Sequence, residues 1–114
     1  MKERKNILII GGACQGKTAF ARERFPEYEE TMVDDLQERM KEYLRGEPEA
    51  VSLFKKLAAG EGFLVISREV GSGVVPMERE ERCWREETGR MLTRLASLAD
   101  EVYRVFCGIP VRLK

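Results

Sequence analysis

An α/β fold built on a small, mainly parallel sheet is predicted by three features of this 114-residue sequence. Asn6-Ile7-Leu8-Ile9-Ile10 and Phe63-Leu64-Val65-Ile66 are short apolar runs rich in β-branched residues, the pattern of strands covered on both faces. Segments with apolar residues at helical spacing separate and follow them, the alternation that gives parallel sheets flanked by helices. The first run also ends in a glycine-rich turn that leads directly into a helix.

Taken in order, the first strand stops at Gly11-Gly12. Lys17 to Arg24 carries helix formers, with Lys17, Ala21 and Phe25 at four-residue spacing, until Pro26 removes a donor and stops the helix. Thr31-Met32-Val33 reads as a short strand. Asp34 or Asp35 can cap the next helix, where Leu36, Met40, Tyr43 and Leu44 share one face, and Gly46-Glu47-Pro48 ends it. Ala50, Val51, Phe54, Leu57 and Ala58 mark another amphipathic helix, closed by Gly60-Glu61-Gly62 ahead of the second strand. Glu69 to Pro76, with Gly71 and Gly73, is too glycine-rich for a regular element, and it follows a strand's C-terminal end, where open α/β sheets place ligands. From Glu78 to Ala99, Trp84, Thr88, Met91, Leu92, Leu95, Leu98 and Ala99 recur near a period of 3.6, opposite arginines and glutamates, which predicts the longest helix. Val102 to Phe106 and Val111 to Leu113 flank Gly108-Ile109-Pro110 and predict a closing β-hairpin. Residues 1–114 are expected to form one domain.

Lysine plus arginine and aspartate plus glutamate both number 20, so the net charge is zero and no overall basic field favours nucleic acid. No apolar run reaches the length of a membrane span, and the start lacks the pattern of a secretory leader, so a cytoplasmic address is expected. Cys14, Cys83 and Cys107 are odd in number and widely spaced, and the sequence contains no histidine, which points away from a disulfide framework or a structural zinc site.

The chemistry concentrates in Gly11-Gly12-Ala13-Cys14-Gln15-Gly16-Lys17-Thr18, which matches the P-loop pattern G-x-x-x-x-G-K-[ST]. Glycines let the backbone curl so that successive N–H groups face phosphate oxygens, and the following helix adds its positive end. Lys17 is expected to reach the β and γ phosphates of ATP or GTP, and the Thr18 hydroxyl to ligate Mg2+. Cys14 reads as a small loop residue, with an activated thiolate as the alternative. Asp34 and Asp35 follow a predicted strand, where P-loop enzymes place a carboxylate that holds magnesium or orients the nucleophile; helix capping is the equal alternative. Glu69 is a candidate general base, or a solvated loop acid. The expected catalytic set is therefore Lys17, Asp34 and Glu69, with Thr18 and Asp34 on the metal. Trp84 and the stripe Met91, Leu95, Leu98 read as core or subunit interface, and the apolar surface of that helix suggests a homo-oligomer.

On these residues the chain resembles the bifunctional adenosylcobinamide kinase and adenosylcobinamide-phosphate guanylyltransferase family of cobalamin biosynthesis. Ile9 to Ala13 with Gly16-Lys17-Thr18 is similar to its strand and G-G-A-R-S-G-K-S loop, and Glu69-Val70-Gly71-Ser72-Gly73-Val74-Val75-Pro76 to its E-V-G-x-G-[IV]-V-P segment. Arg82, Arg85, Gly89, Arg90, then Ala99-Asp100-Glu101-Val102 and Gly108-Ile109-Pro110-Val111 to Lys114 follow its closing helix and D-E-V ending, and Val33-Asp34-Asp35-Leu36 resembles its L-D-C-L. The resemblance implies a RecA-like P-loop fold, a trimer, Mg2+ with ATP or GTP, phosphorylation of the aminopropanol hydroxyl of adenosylcobinamide, and GMP transfer through a guanylylated histidine. Departures are Leu92-Thr93 in place of Asn-Gln, Arg68 where Asn is common, Glu86 for Asp, and a block missing between Pro26 and Asp34. In the family that block holds the nucleotide-accepting histidine, so kinase chemistry without guanylyl transfer is expected. Two rival readings are a nucleotide-binding regulatory or assembly module without turnover, and a kinase for another small alcohol.

Overall fold

A computed structural model describes residues 4–69 and 78–114. Along the chain come β1 (Ile7–Gly11), α1 (Lys17–Arg24), a 3-10 turn (Pro26–Tyr28), α2 (Leu36–Leu44), α3 (Pro48–Ala59), β2 (Leu64–Arg68), α4 (Arg79–Leu98), β3 (Glu101–Phe106) and β4 (Ile109–Arg112). The sheet order is β2-β1-β3-β4, with β1 parallel to both neighbours and β4 antiparallel to β3.

The central place of β1 explains its unbroken apolar run, because alternate residues feed two cores. Leu8, Val65 and Val102 face α2, α3 and α4 and pack with Leu36, Met40, Phe54, Leu57 and Leu95. Ile7, Ile9, Leu64, Ile66, Tyr103 and Val105 face the other way, against Ala21 of α1 and the rings of Phe25 and Tyr28. Helices thus cover both faces, and each fully buried aliphatic side chain contributes about 1.5–3 kcal/mol. Helix ends follow local chemistry: Pro48 opens α3 and Gly60, at φ 65°, closes it.

One residue with no sequence signature ties the elements together at the amino ends of the strands. The buried Asn6 side chain accepts from the amides of Gly62 (2.6 Å) and Phe63 (2.9 Å) and donates to the carbonyls of Gly60 (2.9 Å) and Leu98 (3.3 Å). Its amide N–H donates to Asp100 at 2.7 Å. Nearby, the buried Glu101 accepts from the Tyr103 hydroxyl and pairs with Lys5 at 3.2 Å. The Tyr103 bond holds the Glu101 carboxyl below its ordinary value, against burial and with help from Lys5. Burial first, and then the bond to Glu101, raise Tyr103.

Two expected boundaries shift. Thr31 to Val33 makes only a single parallel bridge, Val33 to Val65, because the chain turns away at Asp34-Asp35, where Asp35 has φ 54°. The hairpin turn is Cys107-Gly108, with φ 52° and 75°, rather than Gly108 to Pro110. Positive φ at both central residues matches the twist of a two-residue hairpin, and Pro110 fits within β4 because that strand is at the sheet's edge. The expected glycine-rich segment Gly71 to Pro76 lies outside the described residues. Among the described residues no helix is long and apolar enough to cross a membrane.

Candidate functional site

The carboxyl ends of β1 and β2 lie side by side, with Gly11 in register with Arg68. Gly11 has no room for a side chain: a Cβ there would stand 2.5 Å from the Val105 carbonyl oxygen and 3.3 Å from Lys17 Cδ. Beyond it the loop curls through left-handed residues, Cys14 at φ 56° and Gly16 at φ 88°. Such turns gather N–H groups into a concavity that attracts anions. Helix α1 then begins at Lys17 with no side-chain cap and no acid in its first turn, which leaves its first amides to a ligand.

The hairpin turn braces this loop from outside. The Gln15 carbonyl accepts from the Gly108 amide at 2.9 Å, and its side-chain oxygen accepts from the Cys107 amide at 2.6 Å. The Gln15 side-chain oxygen is therefore a strut to the hairpin turn. Lys17 Nζ lies across the loop and donates to the Gly12 carbonyl at 2.5 Å.

Opposite the loop, the Thr18 hydroxyl donates to Asp34 Oδ2 at 2.9 Å, and Asp34 Oδ1 accepts from the Asp35 amide at 2.8 Å. Asp35 occupies the residue before α2, yet neither carboxylate caps that helix; Asp35 Oδ1 instead accepts from Gln37 Nε2 at 3.2 Å. The expectation of a capping aspartate is corrected, because Asp35 takes a left-handed backbone that turns its side chain away from the helix amides. Residues 13–19, Asp34, Asp35 and Arg68 together line a hollow of about 300 Å³.

Lys17, Thr18, Asp34 and Asp35 are thus brought together, and Glu69 is not among them. Its amide donates to the Gly11 carbonyl at 3.1 Å, but its carboxylate forks onto Arg104 at 3.0 and 3.1 Å. It lines a neighbouring apolar hollow of about 520 Å³ with Ile10, Leu92, Ala96 and Val102. Two residues of the site escaped the sequence reading. Arg68 stood out in the sequence only as a departure from the family pattern, two residues past an apolar run, and Gln37 gave no signal, being a polar residue that the helical pattern does not mark.

Magnesium can be tested against these oxygens. Among the described residues no cluster of three acids, cysteines or histidines could hold a metal unaided. Thr18 and Asp34 offer a hydroxyl and a carboxylate in contact, hard oxygen donors that suit an ion which keeps several waters and completes its shell with phosphate. The residues fit the ion.

Fold and loop geometry define a P-loop α/β protein. The family model described as cobinamide kinase / cobinamide phosphate guanyltransferase matches residues 30–113, most of the chain, and the chain belongs to that family. The match begins after the phosphate loop, so the loop is recognised on its own pattern and geometry. The bifunctional adenosylcobalamin biosynthesis protein CobU of Salmonella typhimurium is 45% identical over 51 residues, which cover 45% of this chain and 28% of that protein. Its Escherichia coli K12 counterpart is 41% identical over 51 residues, with the same shares. The aligned stretch is less than a third of either relative.

Proposed function

We propose that this chain is an adenosylcobinamide kinase-like phosphotransferase of cobalamin biosynthesis, moving the γ-phosphoryl group of ATP or GTP to an alcohol. In this reading residues 1–114 act as one cytoplasmic domain. The observation that carries it is the contact of the Thr18 hydroxyl with Asp34 Oδ2 inside the hollow walled by the phosphate loop. Lys17 exchanges the Gly12 carbonyl for the β and γ phosphates, while the amides of residues 12–18 hold the rest of the chain of phosphates. Thr18 and Asp34 would hold Mg2+, which would withdraw charge from the phosphates. Glu69 accepts the proton of the acceptor hydroxyl as its oxygen attacks the γ phosphorus and the bond to the β-phosphate oxygen breaks. Arg104 holds the Glu69 carboxylate in place through two contacts, and the apolar hollow beside it suits a corrinoid side chain such as that of adenosylcobinamide.

Guanylyl transfer is not part of this reading, because a nucleophile attacking the α phosphate must be basic near neutral pH and the chain has no histidine. A homo-oligomer, trimeric as in the family, is supported by Phe106, Ile109, Val111 and Leu113, which are 65%, 64%, 52% and 56% exposed along the hairpin. A second reading, a binding module without turnover, is favoured by the engagement of Glu69 with Arg104. Calorimetry and rate assays separate the two. Lys17→Ala should weaken nucleotide binding at least about tenfold with the fold intact, and Glu69→Gln should lower transfer while leaving binding unchanged. Binding without any transfer by the unaltered protein would select the module.

A further inference from the structure

We propose that Arg68 is a second phosphate-binding cation of this site, one that contacts the terminal phosphate and makes the hollow prefer a nucleoside triphosphate over a diphosphate. This rests on reading the hollow as a nucleotide site.

The first support is placement. Arg68 closes β2 in register with Gly11, the first residue of the phosphate loop, and lines the same hollow as Lys17, Thr18, Asp34 and Asp35. It enters from the neighbouring strand and not from the loop. A diphosphate seated on the loop amides and Lys17 would satisfy the loop; a third phosphate adds charge that calls for a further cation, and Arg68 lines the same hollow.

The second support is charge. Within the hollow Asp34 and Asp35 outweigh Lys17, so without Arg68 the site would be negative before any metal arrived, a poor receptacle for a polyanion. Arg68 brings these four side chains to neutrality. Arg68 is exposed and, among the described residues, its guanidinium has neither a carboxylate nor a hydrogen-bond acceptor as partner, whereas Arg104, two strands away, is engaged by Glu69. A planar fork with five donors is suited to the oxygens of a terminal phosphate.

The third support is that its backbone is fixed although its side chain is not. The Arg68 amide donates to Gln37 Oε1 at 3.0 Å, and its carbonyl accepts from the Ser67 hydroxyl at 3.1 Å. Gln37 is itself buried, holds Asp35 through its Nε2, and receives the Trp84 indole N–H on its carbonyl at 2.6 Å. One buried amide side chain therefore sets Arg68 and Asp35 at a fixed spacing across the hollow. That is the arrangement of a positioned group, since the cost of ordering the backbone is met before the ligand arrives.

The test is calorimetry with magnesium and either GDP or a non-hydrolysable GTP analogue, on the unaltered protein, Arg68→Ala, Arg68→Lys and Lys17→Ala, each checked for an unchanged melting temperature. Arg68→Ala should lose about tenfold or more in triphosphate affinity and less than about twofold in diphosphate affinity, with Arg68→Lys between it and the unaltered protein. Lys17→Ala should weaken both nucleotides. Equal losses for the two nucleotides in Arg68→Ala, or no loss, would overturn the role of Arg68 while leaving the nucleotide site standing. Failure of the unaltered protein to bind either nucleotide would overturn the site itself, and the role of Arg68 with it.

Discussion

Asp34→Asn separates a magnesium ligand from a structural aspartate. Asp34 is half-buried and makes two hydrogen bonds, from Thr18 at 2.9 Å and from the Asp35 amide at 2.8 Å. Asparagine keeps one acceptor oxygen for the Asp35 amide and offers an NH2 that can donate to the Thr18 hydroxyl, so the structural cost is at most about 0.5–1.5 kcal/mol. For a domain of this size that lowers the melting temperature by about 4–8 °C per kcal/mol. The chemical effect should be larger, because an amide is a neutral and poorer ligand for magnesium. A fall of about 100-fold or more in transfer rate, or about 2.7 kcal/mol, is expected, with nucleotide affinity in the absence of magnesium nearly unchanged. Initial rates of γ-phosphoryl transfer over a magnesium titration, set beside thermal melts, give both numbers. If the variant melts several degrees lower yet transfers within threefold of the original rate at saturating magnesium, on the order set by the same rate law, Asp34 is structural and the metal assignment fails.

Three further outcomes are expected. Gly11→Ala places a methyl 2.5 Å from a backbone carbonyl that cannot rotate away, so it should cost about 1–3 kcal/mol in denaturant melts and weaken nucleotide binding about tenfold or more; original stability and affinity would contradict the geometry. Asn6→Ala strips two amides and two carbonyls of their partner and should cost about 2–4 kcal/mol by urea unfolding, where a loss below about 1 would show that water replaces the side chain. The carboxyl of Glu101 is held below its ordinary value of 4.5, so the stability it contributes is complete above about pH 4.5 and disappears as pH falls through the lower folded value. Glu101→Gln should therefore flatten the acid side of the stability profile, and an identical acid slope in both proteins would count against this linkage.

Much of the fold was legible because the decisive signals are local. The runs at Ile7 and Phe63 show two-sided burial, Pro26, Pro48 and Gly60 punctuate helices, and the 3.6 period from Trp84 to Leu98 sets α4. The errors lie where long-range contacts decide. Val33 reaches only one bridge because the backbone leaves the sheet at Asp35, a left-handed position that an aspartate tolerates but does not announce. The turn lies at Cys107-Gly108 and Pro110 belongs to β4, because an edge strand accepts the proline that in sequence looks like a turn residue. The place and curl of the loop from Gly11 to Thr18 were legible, since its glycines and Lys17-Thr18 are contiguous. The other wall of the hollow was not, because Gln37 and Arg68 come together only when α2 packs beside the end of β2. Glu69 shows the limit from the other side: its position beside the loop was foreseeable, but its pairing with Arg104 depends on β3.

Kinase chemistry without guanylylation is tested most directly by incubating the unaltered protein with GTP labelled at either the α or the γ phosphate, magnesium and adenosylcobinamide. Label from the γ position should appear on the small molecule, and no label from the α position should become bound to the protein. Acid-labile α label on the chain, or no γ label on the acceptor under conditions where calorimetry shows GTP bound, would contradict the proposed function.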